Sequence, residues 1–213
     1  MESRLSQAAG TAAARPLLRW GVVAGPFYLA IGLAQALLRD GFEFARHPLS
    51  VLANGPGGWI QTANFVLTGA MVIAAAIGFR GALRPQGGAA ALFLGGFGAA
   101  MIAAAVFAAD PVDGFPPGTP KGFPTSISTT GLLHFVFGAL GFACLAASCF
   151  AAAWTMMRRH LPQLALLSLV SGLVVAIGFF GGIVLPLGIL GIWLAVIAGW
   201  AWLALMSIRL SRL

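Results

Sequence analysis

Between residues 17 and 207 the chain is a series of long apolar runs separated by short polar interruptions. The runs 17–38, 60–79, 89–109 and 131–154 each come to about 20 residues or more, the length a helix needs to cross a bilayer. The stretch 161–207 is too long for one crossing. Division near Val184-Leu185-Pro186 gives two further spans, about 164–183 and 187–207. The pattern predicts an all-α membrane protein, a bundle of six transmembrane helices. Residues 1–16 read as a loosely ordered cytoplasmic tail, 17–207 as the transmembrane domain and 208–213 as a second cytoplasmic tail.

Composition agrees. Hydrophobic residues make up 60% of the chain and charged residues 8%, where a soluble domain carries about 25% charged residues. The net charge is +7. No basic cluster alternates with aromatics, so a nucleic-acid partner is not expected. The excess arginine is a topology signal. With the N-terminus inside, the cytoplasmic segments hold Arg4, Arg15, Arg19, Arg80, Arg84, Arg158, Arg159, Arg209 and Arg212. The outer segments hold only Arg39, Arg46 and Lys121, so both termini are expected in the cytoplasm. Cys144 and Cys149 would point about 140° apart on one helix and are not expected to pair.

Small residues recur every fourth position in the third span, at Gly87, Ala91, Gly95, Ala99 and Ala103. Gly21 with Gly25 and Gly178 with Gly182 repeat the spacing. Such stripes let helix backbones approach closely, and packing within the bundle is the expected use.

The polar residues inside the spans collect toward the outer half. Gln35 ends the first span. Gln61, Asn64 and Thr68 follow at i, i+3 and i+7 on one face of the second. Asp110 closes the third, and His134 lies about one turn into the fourth. Taken singly, the amides and Thr68 are explained by interhelical hydrogen bonds. His134, an ionisable residue in a span, marks a functional site by default.

Two outer loops complete the set. In the first, Pro48 opens a short interfacial helix that Asn54-Gly55 ends, with His47 and Ser50 at its start. Ser50 alone reads as a capping or turn residue. The second loop, 110–130, is rich in Pro and Gly, with a turn at Asp113-Gly114. A loop of this length is commonly functional. Phe115 and Phe123 would anchor it as a lid.

The resulting expectation is an outward-facing polar pocket lined by Gln35, His47, Ser50, Gln61, Asn64, Asp110 and His134. The leading function is binding of a lipid head group, amphiphile or small solute at the outer leaflet, with membrane lipid as partner and no cofactor. An alternative is a metal-dependent hydrolase with zinc on His47, Asp110 and His134. A small transporter or a structural, partner-binding membrane protein is a third reading, although no paired broken helices are evident.

His47-Pro48-Leu49-Ser50, then Gly57-Gly58-Trp59-Ile60-Gln61, Asn64-Phe65 and Gly69, resemble the first-loop and second-helix signature of the bacterial domain-of-unknown-function family 998. Phe107 to Pro111 and His134 resemble its later features. The resemblance covers nearly the whole chain. It implies a small six-helix protein of the bacterial inner membrane with its polar signature facing out, and it implies no activity.

Overall fold

The computed structural model describes the backbone of residues 2–212, except 123, 125 and 185–187. Within that range it describes side chains from Ala14 onward, except 183 and 184. Among the described residues there are six long helices: α1 (Glu2–Leu38), α2 (Gly58–Ala82), α3 (Gly88–Val106), α4 (Thr129–Arg158), α5 (Pro162–Val184) and α6 (Gly188–Leu210). All six contain a stretch long and apolar enough to cross a membrane. Each packs on its neighbours in sequence, and α6 returns to α1, so the bundle is a closed ring. The division between the last two spans falls where expected, although Leu185 and Pro186 lie outside the described residues.

The expected N-terminal tail is corrected. Helix α1 starts at Glu2 rather than near residue 17, and its apolar membrane stretch starts at Ala14. The segment 2–15 is rich in alanine, the strongest helix former, and contains no proline to interrupt the helix.

Inside a bilayer, helices associate through close packing and hydrogen bonds rather than through release of water. The seams show both. A Cβ on Gly69 of α2 would lie 2.6 Å from the Gly98 carbonyl oxygen of α3, so these backbones are in contact. Gly25 of α1 accepts the Trp200 side chain of α6, and Gly178 of α5 faces the Gly191 carbonyl of α6. Ser148 Oγ donates to Ala90 O at 2.8 Å, tying α4 to α3. Trp202 Nε1 donates to Ser168 Oγ at 3.0 Å, tying α6 to α5. The four-residue stripe expected along α3 is only partly a seam. Gly87 and Ala91 are buried, but Ala99 is exposed, and a Cβ on Gly95 would meet Ala76 at an ordinary 3.8 Å. Cys144 and Cys149 are unpaired.

At the end with short connections, Arg159 Nη2 donates to the Arg84 carbonyl at 2.9 Å and Nη1 to the Ala82 carbonyl at 3.4 Å. A cation thus meets the C-terminal carbonyls of α2. The opposite end carries both long loops, 39–57 and 107–128, and the functional candidates lie there.

Candidate functional site

The first loop is anchored by Arg39. Its Nη1 donates to Leu52 O and its Nη2 to Asn54 O, both at 2.5 Å. These carbonyls end a one-turn 3-10 helix, Leu49–Ala53, which stands where a short helix after Pro48 is expected. Leu49, Val51 and Leu52 are buried, so the turn is tucked into the bundle rather than laid on the membrane surface.

The second loop is fastened to the first. Arg46 Nε donates to Asp113 Oδ2 at 2.7 Å, and Nη2 bonds the other carboxylate oxygen. The Arg46 guanidinium, with help from the Gly122 N–H, holds the Asp113 carboxyl well below the usual carboxylate range. Asp113 has φ 48° and Gly114 φ 91°, and Val112 pairs with Phe115 across them, as the turn signal predicts. Phe115 is fully buried, with its ring under Arg39 at 4.8 Å and beside Phe42 and His47. It therefore locks loop to loop instead of anchoring a lid in the membrane interface. Phe123 lies outside the described residues.

His47 is fully buried between the loops. Its Nδ1 accepts from the Glu43 N–H at 2.9 Å, which leaves the proton on Nε2, 3.1 Å from Asp113 O. Both ring nitrogens are engaged by backbone, so His47 is a structural clasp rather than a ligand. Among the described residues no three His, Cys, Asp or Glu side chains are grouped to hold a metal ion, and His47, Asp110 and His134 do not form the zinc set considered from sequence.

Gln35, Gln61 and Asn64 share a seam between α1 and α2. Gln61 Oε1 accepts from Gln35 Nε2 at 2.9 Å and from Asn64 Nδ2 at 3.2 Å. Asn64 Nδ2 also donates to Tyr28 O at 3.1 Å, and Thr68 Oγ1 donates to Asn64 Oδ1 at 3.2 Å. All four side chains are buried. Gln35 Oε1 and Gln61 Nε2 have no hydrogen-bond partner. The amides stabilise the α1–α2 contact, and none lines the central cavity.

The interior holds a cavity of about 400 Å³ to which all six helices and both loops contribute walls. Of the seven residues expected to line a pocket, Ser50, Asp110 and His134 do so. The walls are mostly apolar, against the expected polar lining, with Phe97, Leu145 and Trp200 among them. On α4, Gly131, His134, Gly138, Gly141 and Leu145 line one face at i, i+3, i+7, i+10 and i+14. That glycine spacing beside His134 was the available signal for the lumen face. Tyr28, the only tyrosine in the chain, is also in the wall.

Two features set the chemistry at the loop end. Helix α3 stops at Val106 ahead of Pro111, which leaves carbonyls without helical donors. His134 Nδ1 lies 2.8 Å from Phe107 O and 3.0 Å from Ala104 O. Carbonyl oxygens only accept, so Nδ1 carries the proton, and in the neutral ring Nε2 is an acceptor. Asp110 caps α4. Its Oδ2 accepts from Ser128 N at 2.9 Å and its Oδ1 from Ser128 Oγ at 2.5 Å. A Cβ at Gly131 would collide with this carboxylate.

The cavity has an open side. Phe142 stacks on Phe179, and Phe150 lies against Gly172, a register that carries α4 about two turns past the end of α5. In that overhang Leu132 and Phe135, both wall residues, are each 51% exposed.

Six long apolar helices make this a multi-pass membrane protein. No curated protein and no solved structure matches the chain. A family model described as a protein of unknown function, DUF998, matches residues 22–209, and the chain belongs to that family.

Proposed function

We propose that the protein binds an amphiphile of the membrane, with the apolar chain in the central cavity and the polar end beneath the loop cap. The observation that carries this reading is the cavity itself. Its volume, about 400 Å³, falls within the roughly 300–1,000 Å³ of small-molecule sites. Its walls suit a hydrocarbon chain, and the polar atoms of Ser50, Asp110 and His134 gather at one end. The exposed Leu132 and Phe135 give a side entrance from the lipid phase. The excess of arginine at the short-loop end favours a reading in which the loop cap faces outward from a bacterial inner membrane.

The test is the content of the purified protein. Gly138 is in the cavity wall, and a Cβ there would meet nothing within 4 Å. Gly138→Phe should therefore fill the cavity while the bundle folds. Native mass spectrometry and solvent extraction should find an apolar molecule retained by wild type and lost from Gly138→Phe. Equal retention by both proteins, with the variant melting cooperatively, would refute the reading.

A further inference from the structure

We infer that the cavity selects a neutral amphiphile whose head donates a hydrogen bond, a hydroxyl-headed chain, and rejects anionic phosphate heads. This rests on the proposed amphiphile binding and adds the class of ligand.

Among the described wall residues there is no lysine or arginine. Of the cations in the two loops, Arg39 is committed to the Leu52 and Asn54 carbonyls, Arg46 to Asp113, and Lys121 is exposed and outside the wall. A phosphate head would enter a low-dielectric space with no cation to pair with, which is strongly unfavourable. A cationic head fares little better. The one carboxylate in the wall, Asp110, is already compensated by the Ser128 N–H, the Ser128 hydroxyl and the N-terminus of the 30-residue helix α4. The wall thus presents no uncompensated charge of either sign.

What it presents is an acceptor. His134 Nδ1 is held by the α3 carbonyls, so the neutral ring turns Nε2 to the other side, and Nε2 has no hydrogen-bond partner among the described residues. Phe65 packs edge-on against the His134 ring, with centroids 6.2 Å apart, and fixes its plane. Trp193 Nε1 is spent on Phe44 O at 3.1 Å and adds no donor. The hydroxyls of Ser50 and Tyr28 are neutral and serve as donor or acceptor. A hydroxyl head completes this set, donating to Nε2 and accepting from a neighbouring hydroxyl.

The experiment uses the full chain in nanodiscs of zwitterionic phospholipid. Binding of dodecanol, dodecane, dodecylamine and dodecyl phosphate is followed by thermal shift and by competition with one another. Dodecanol should bind about tenfold more tightly than dodecane, the worth of one hydrogen bond, and dodecyl phosphate should bind worst. His134→Asn places an amide N–H where Nδ1–H sits, which keeps the α3 cap, and removes Nε2. It should erase the preference for dodecanol over dodecane. The wild-type ranking decides the matter even if that variant misfolds. Dodecanol and dodecane binding equally, both blocked by Gly138→Phe, would overturn the head-group inference and leave the cavity reading standing. Tightest binding of the phosphate or the amine would overturn it as well. No saturable binding of any chain would overturn both.

Discussion

Arg46 and Asp113 are 67 residues apart in sequence and joined by a two-pronged ion pair, Nε to Oδ2 at 2.7 Å and Nη2 to Oδ1. This pair, with His47 donating to the Asp113 carbonyl, turns two separate loops into one cap. Arg46 lowers the Asp113 pKa below its unfolded value. A depressed carboxylate contributes stability above the unfolded pKa, about 3.9 for Asp, and loses it as pH falls through the folded pKa. Limited proteolysis within 107–128 should therefore be flat from neutral pH to about 4 and rise only below it. Asp113→Asn should be cleaved several-fold faster at neutral pH and show no further acid rise.

The buried amides make a test of partnership. Gln61→Leu removes the acceptor shared by Gln35 and Asn64 and leaves the Gln35 amide without its α2 partner. The expected cost is about 1–2 kcal/mol, read as a lower melting temperature in detergent. Gln35→Leu combined with Gln61→Leu removes both partners of the 2.9 Å bond and the two orphaned atoms. The double variant should be more stable than Gln61→Leu alone, because an unpaired buried group costs more than an absent pair.

Two glycines separate a true seam from an apparent one. Gly69→Ala would push a methyl against the Gly98 backbone carbonyl, which cannot move aside, and should destabilise the bundle by about 1–3 kcal/mol. Gly95→Ala meets only an ordinary contact with Ala76. It should be neutral or stabilising by up to about 1 kcal/mol through helix propensity. Melting temperatures of the two variants check the contrast.

The six spans were legible because long apolar runs and sparse charge leave few alternatives, and the DUF998 signature was legible in the first loop and second helix. The site was legible only in part. Depth along a helix follows from residue count, so Gln35, Gln61 and Asn64 were correctly placed near one end. The direction each face points depends on how the ring closes, and those amides turn toward α1 or α2 rather than inward. The role of His47 depends on a carbonyl 66 residues away, a relationship no local pattern encodes. His134 stood out as an ionisable residue in a span, but its capping of α3 follows from where that helix stops.

The central claim is an apolar lumen that takes up a chain from the lipid phase, and Trp200 reports on it directly. Trp200 is in the cavity wall and is buried, whereas Trp20, Trp59 and Trp154 are exposed on the bundle surface. A bromine-labelled long-chain alcohol titrated into nanodiscs should quench a saturable part of the tryptophan emission in wild type. That part should shrink in Trp200→Phe, with Trp193, the other wall tryptophan, giving the remainder, and should disappear in Gly138→Phe. Quenching that rises without saturation and is the same in all three proteins would mean that the chain only dissolves in the bilayer, and would contradict the claim.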